Sequence, residues 1–456
     1  MKLLRRQFLA MTSALVAGGV LAGKPGAGGA QTLRVRRDIN TMTSTDPVIE
    51  TLADAITKMH ALPDSDERSW HGQAMIHLDH CHRQRWHFLT WHRLYLSTFE
   101  DIVRELTGQT DWAMPYWNWT ANRQIPGVFF GNGNALDTET WKDPDPRDGN
   151  YHPRVMGPTD LISSTTVSMQ GVENQTNYRL FSDALEGRPH GGVHIAIGGH
   201  MGDFVSPLDP IFMAHHCNVD RVWAKWNKNH PNPGTTNWLN EPFDNMFADK
   251  DGNLITGKTA GDLLTTAGLG YRYDDEAPQP GPPVDTDGTD LIAMFRTTDF
   301  AAENVSALSL NTPATLSVKA GDPVILAPDF FDKQAVLAGK APKQVVARLS
   351  KIEIPAEAEN YVIRVFLNCP YLTADTPPDD PHFVNDVSIF GLRQMQGMDG
   401  MDRDVLVDLT RTLVDLNLRQ TPAREELNVQ LVAVPLDSRT PTGTNFKIGR
   451  VEVIGI

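Results

Sequence analysis

Eleven of the fifteen histidines lie in two short windows, six between His71 and His92 and five between His190 and His216. Core packing does not ask for such clustering, because every buried imidazole needs partners for its ring nitrogens. Metal ligation does ask for it. His190 and His194 stand four residues apart, on one face of a helix, and two neutral imidazoles at that spacing can share one metal ion. Downstream, His216, Asp220 and Trp223 fall at i, i+4 and i+7, an inward stripe that supplies a third ring from His216. Asp220 could brace a polar neighbour, and His215 points to another face. In the first window His92, Leu96, Phe99 and Val103 form a second inward stripe. His82 lies ten residues before His92, on a different face of any continuous helix, so it is expected on the loop entering that helix. His77 is also expected from a loop. His87 is off the face of His92 and is not expected to ligate. Three imidazoles suit zinc, copper, iron or nickel. Two such sites face to face are what a pair of copper ions needs to bind O2 between them. The plain alternative is a set of buried structural histidines.

These rings need helices to hold them. Helical periodicity recurs at Ile49–His60, Trp86–Leu106 and Pro210–Asn227, joined by long Gly/Asn/Asp/Pro-rich stretches. The run EAPQPGPPVDTDG, residues 276–288, reads as a linker. Beyond it, ATLSVKA, QVVARLSKIEI, NYVIRVFLN, NVQLVAVPL and KIGRVEVIGI alternate apolar and polar residues, the signal of a β-sandwich of the jelly-roll kind. The expected fold is a mainly α N-terminal domain over 31–275 and a β-sandwich over 289–456.

The remaining features set outer bounds. A net charge of −15 argues against nucleic acid or an anionic membrane as a partner. Residues 1–30 read as a signal peptide, with an apolar run too short to span a membrane comfortably. Arg5-Arg6 before Gln7-Phe8-Leu9 points to twin-arginine export, to the periplasm or beyond, with an ordinary secretory signal as the alternative. Three widely spaced cysteines, Cys81, Cys217 and Cys369, do not make a disulfide framework. Arg34 to Arg37 is a basic patch. Met395, Met398 and Met401 offer thioethers, though a polar loop is the simpler reading.

Several of these segments resemble one family. His82, then Phe88-Leu89-Thr90-Trp91-His92-Arg93, Leu96 and Glu100 look like the first copper signature of tyrosinases and catechol oxidases. Asp209-Pro210-Ile211-Phe212-Met213, His216 and Asp220 look like the second. Met114 to Trp119 and Tyr271-Arg272-Tyr273 are similar to other segments of that family. The resemblance implies one copper on His77, His82 and His92, and another on His190, His194 and His216. It implies a type-3 dicopper polyphenol oxidase that uses O2 to turn o-diphenols into o-quinones, with hydroxylation of monophenols as a further activity. Glu186 is then a candidate base for phenol deprotonation. Two departures stand out. The spacing from His82 to His92 is one residue longer than usual, with Arg83 at the strict position and with His80 and His71 in reserve for His82 and His77. Cys81 is adjacent to His82 where relatives carry Cys-x-His, so a thioether there is an open expectation. Gly191 tilts the reading toward diphenols, and Ile195 falls where the entrance is often bordered. Rival readings are a hemocyanin-like O2 carrier, a zinc hydrolase, and a latent oxidase plugged by its C-terminal domain.

Overall fold

The computed structural model describes residues 32–81, 85–276, 308–309, 312–319, 344–354, 361–388, 390, 404–418, 426–435 and 445–455. Residues 1–31, expected to include a signal peptide, and 277–288 of the expected linker, together with His82, Arg83 and the Met395–Met401 run, lie outside the described residues. Three long helices carry the N-terminal half. Helix α1 (Pro47–His60) starts where the Asp46 side chain accepts from the Val48 amide, with proline at the first position. It buries Ile49, Leu52, Ala55, Ile56 and Met59. Helix α3 (Phe88–Thr107) ends at Gly108, whose φ of 74° lets its amide reach the Arg104 carbonyl. Helix α7 (Ile211–Trp226) follows Pro210 and is buried along most of its length. Between them lie α2 (Trp70–His80), α4 (Thr138–Trp141), α5 (Tyr178–Leu185) and α6 (Gly192–Ile197), with α8 (Thr236–Leu239) after them.

Helix α2 corrects the expectation for His77, which sits on a helix rather than a loop. Its start is set by Ser69, whose hydroxyl accepts from the Gly72 amide. The apolar stripe is weak because Gln73 and His77 occupy buried positions, so hydrophobic periodicity hides it.

The chain is clamped at its start. Strand β1 (Arg34–Arg36) runs parallel to β2 (Tyr271–Tyr273), with Arg34 opposite Tyr271. The basic run is therefore not a surface patch throughout: Arg36 is fully buried. Its Nε donates to Glu100 at 2.8 Å and its Nη1 to Asp220 at 3.0 Å. Arg93 donates to the other Asp220 oxygen at 2.6 Å, and the hydroxyls of Tyr271 and Tyr273 each donate to Asp220 at 2.6 Å. Two cations and two anions thus balance inside the core.

The C-terminal half is the expected sandwich. One sheet has the order β3 (Leu308–Ser309), β10 (Asn445–Gly455), β5 (Val345–Glu353), β8 (Val405–Asp408). The other has the order β4 (Ala314–Lys319), β9 (Glu426–Pro435), β6 (Tyr361–Leu367), β7 (Phe383–Ser388). All pairings in both are antiparallel. Alternation revealed the long strands; β3, β7, β8 and helix α9 (Thr410–Leu418) were too short or too weakly patterned. The sandwich packs directly on the helical part. Ile195 belongs to the same buried cluster as the sandwich residues Val387 and Val405, and Leu180 packs with Val346, Leu406 and Ile454.

Candidate metal centre

Of the predicted ligands, the structure brings His77, His92, His190, His194 and His216 together from α2, α3, α6, α7 and the turn before α6. His77, Cys81 and His92 offer ligand atoms within 4.8 Å of one another, and so do His190, His194, His215 and His216. The two groups face each other: His92 stacks on His216 with centroids 4.1 Å apart and planes within 9°, and His77 lies 6.4 Å from His216. Phe88 stands edge-on to both His92 and His190, at 4.9 and 4.7 Å.

Backbone carbonyls orient the rings. The Nδ1 of His77 donates to the Phe204 carbonyl at 2.6 Å, that of His92 to Phe88 at 2.8 Å, that of His190 to Glu186 at 3.0 Å and that of His194 to Met201 at 2.7 Å. Each bond selects the tautomer in which Nδ1 carries the proton and Nε2 does not, the form that can ligate a metal through Nε2. The Nε2 atoms of His194 and His216 stand 3.2 Å apart. One irregular segment, residues 199–208, supplies a carbonyl to a histidine of each group. Gly199 seats it: at φ +58°, a Cβ there would fall 2.3 Å from the Pro153 carbonyl oxygen.

Electrostatics suits neutral ligands. Burial pushes His92, His194, His215 and His216 well below the ordinary imidazole value, and neighbouring histidines add to it. His190 is lowered to about 3, again by burial first. Neutral imidazole is the form that ligates. Burial, with help from Glu186, pushes the Cys81 thiol well up, and its sulfur stands 3.8 Å from the His92 Nε2. The Nδ1 of His216 and both ring nitrogens of His215 are buried without a hydrogen-bond partner among the described residues. Leaving buried polar nitrogens unpaired is costly, and donor atoms left open in a cluster are what a metal-binding site requires. The residues therefore fit bound metal.

Not every expectation maps onto this geometry. His82 and the Cys81–His82 thioether lie outside the described residues. Neither His71 nor His80 joins the metal-ligating groups found among the described residues. His87, which was not expected to ligate, stays outside those groups and packs on Trp238, with centroids 5.1 Å apart. His215 does not point away: its ring lies 5.3 Å from His190 and 4.8 Å from His194. Helical spacing put it off the stripe, but α7 is buried on nearly all sides, so a second face also meets the cluster. Sequence reasoning missed Phe390. It stacks on His194 at 4.2 Å and 19° and meets His190 edge-on at 5.7 Å. The run Val387 to Phe390, ended by Gly391, was its only signal. Glu186, Ser388 and Phe390 line one cleft together.

The turn Glu186–Gly191, just before α6, is π-helical and contains Pro189. Wide turns of this type recur at functional sites. This one places His190 over His194, with centroids 4.7 Å apart.

Residues 51–160 and 145–229 match the model of the common central domain of tyrosinase. Residues 302–455 match a domain of unknown function, DUF7868. A chloroplastic polyphenol oxidase of Malus domestica is 30% identical over 277 residues, 48% of this chain and 45% of that relative. This chain thus spans about half the length of that relative. A tyrosinase of Hahella sp. (strain CCB-MM4) is 25% identical over 413 residues, 82% of this chain and 83% of the relative. Among solved structures, a latent apple tyrosinase superposes with a TM-score of 0.66 at 20% identity, covering 93% of this chain and 97% of that one. A latent aurone synthase gives 0.65 at 20% identity, with coverage of 94% and 90%. These structures share the fold, a helical N-terminal part followed by a β-sheet domain.

Proposed function

The chain belongs to the type-3 dicopper family of tyrosinases and polyphenol oxidases, and from that premise we propose that it uses O2 to oxidise o-diphenols to o-quinones. Two catechols and one O2 would yield two o-quinones and two waters. His77, His82 and His92 would hold one copper, and His190, His194 and His216 the other. The carrying observation is the face-to-face packing of two histidine groups with Nε2 atoms turned inward. When bound, the copper pair supplies the redox capacity to take up O2 and accept electrons from the phenol. The protein's own part is to keep the imidazoles neutral, fix their tautomers through backbone carbonyls, and wall the site with Phe88. Glu186, in the cleft beside Phe390, is the candidate base for the phenolic proton. Gly191 supports a bias toward diphenols. The helical unit over 31–275, the linker over 276–288 and the sandwich over 289–456 would divide the work into catalysis, tether and shield.

One observation favours a latent form of this oxidase. Phe390, from the sandwich, stacks on His194 where a phenol ring would need to approach, and Ile195 belongs to the buried cluster of the sandwich. The apple tyrosinase that shares this fold is also described as latent.

The test is the copper-loaded protein assayed on paired monophenol and diphenol substrates. About two coppers per chain, no zinc and turnover of 4-tert-butylcatechol in air are expected. Stoichiometric zinc would overturn the oxidase reading. Phe390→Ala should raise catechol turnover by about tenfold, since it deletes a ring stack over the site. Absence of turnover in both forms would favour an O2 carrier.

Export through the twin-arginine route is the corresponding reading of Arg5-Arg6. No helix among the described residues is long and apolar enough to cross a membrane. Replacing both arginines by lysine should leave the protein inside the producing cell; undiminished export would sink this reading.

A further inference from the structure

Three residues of the sandwich reach three residues around the metal centre at matched spacing. Asp386 and Ser388 alternate on strand β7 and so share a face, and Phe390 follows two residues beyond the end of that strand. Arg188, Gly191 and His194 follow at intervals of three, near one face of a helical segment. The rungs meet in order. The Arg188 Nη1 donates to Asp386 at 3.2 Å, Gly191 abuts Ser388, and His194 stacks under Phe390.

The middle rung has no spare room. A Cβ on Gly191 would lie 2.4 Å from the Ser388 Oγ and 2.8 Å from its Cβ. The backbone does not demand glycine there, because Gly191 has ordinary helical angles, φ −63° and ψ −33°. The requirement is steric. It also bears on the third rung, because the same Ser388 Oγ accepts a hydrogen bond from the Phe390 amide at 3.1 Å. The atom that a side chain at 191 would displace is the atom that seats Phe390. Gly187, in the same turn, differs: a Cβ there meets only the Asp386 carbonyl oxygen, at 3.6 Å.

We infer that Gly191 is the docking pin of the shield: the missing side chain at 191 lets Ser388 seat Phe390 over His194, and any side chain there lifts the sandwich from the metal centre. This rests on the latent-oxidase reading, and position 191 thereby gains a role in access that is separate from substrate preference.

The test uses the full-length chain. Backbone hydrogen exchange of residues 383–388 is followed in the copper-free protein, and catechol turnover in the copper-loaded one. Gly191→Ala should speed exchange of that strand and raise turnover by about tenfold, the usual size of an overpacking effect. Gly187→Ala should leave exchange as in the wild type. Gly191→Ala combined with Ser388→Gly should exchange more slowly than Gly191→Ala alone. If Gly191→Ala does not fold, Ser388→Val crowds the same contact from the sandwich side, and unchanged exchange in it would overturn the inference. Phe390→Ala separates the two readings. Opening in Phe390→Ala without opening in Gly191→Ala overturns the pin and leaves the shield intact. No gain in turnover from either variant removes the shield reading and the pin with it.

Discussion

His194→Ala is expected to lose one of two coppers and to end turnover. His194 is fully buried. Its Nδ1 is committed to the Met201 carbonyl, and its Nε2 stands 3.2 Å from that of His216. A copper ion supplies several kcal/mol of charge stabilisation to such a reaction, so the expected loss is on the order of 10³-fold. Metal analysis should fall from about two to about one copper per chain, with far-UV circular dichroism unchanged. His87→Ala is the contrast. His87 is as buried as many of the candidate ligands and lies in the same dense window, with a pKa lowered to about 3 by burial and by Arg179. It packs on Trp238 and Phe243 rather than on the cluster, so both coppers should stay. Two coppers and full activity in His194→Ala would show that the centre is assembled from other rings.

Asp220→Ala should damage the fold rather than the chemistry. Asp220 lies one helical turn after His216 and accepts from Arg93, the residue after His92. It therefore ties the helix of one metal group to the helix of the other, and through Arg36 it also ties in the start of the chain. Removing it leaves Arg93 and part of Arg36 buried without their shared anion, at a cost of about 3–5 kcal/mol. The melting midpoint should drop by on the order of 10 °C. Asp220→Asn, which keeps the shape and one acceptor oxygen, should fall between. An unchanged midpoint in the alanine variant would refute this role. The sign of the pH dependence follows from the same network. Burial by itself would raise the Asp220 pKa, but Arg93, Arg36 and the two tyrosine hydroxyls outweigh it and leave the value lowered. A carboxylate lowered in the folded state contributes stability that is complete above its unfolded value, about 3.9. That contribution is lost as pH falls through the lowered folded value. Wild-type stability should therefore decline in acid more steeply than that of Asp220→Asn.

Much of the histidine cluster was legible because helical spacing constrains residue type and position together. His190 and His194 at i and i+4, and His216 four before Asp220, are local relations that a helix converts directly into geometry. His92 was legible for the same reason, on the stripe with Leu96 and Phe99. His77 was placed on a loop because α2 buries Gln73 and His77 on its inner side, and a polar residue breaks the apolar period. His215 was set aside because a stripe argument assumes one buried face, whereas α7 is buried on most faces. The clamp around Arg36 was not legible either. A run of arginines reads as surface charge until its partners, Glu100 and Asp220, arrive from distant segments.

Local sequence by itself determined the histidine spacing, the periodicity of the helices around Ile49–His60, Trp86–Leu106 and Pro210–Asn227, and the alternation of the long sandwich strands. These depend on neighbours a few residues apart, where backbone geometry leaves few choices. Only the tertiary structure decided what covers the metal centre. Asp386, Ser388 and Phe390 lie about two hundred residues from the helical turn they grip, and no periodicity in either segment encodes their meeting. Gly191 shows the difference most clearly. The family resemblance suggested a substrate preference for it, but its contact with Ser388 is a matter of two surfaces packing without room for one more carbon, which a linear sequence cannot display.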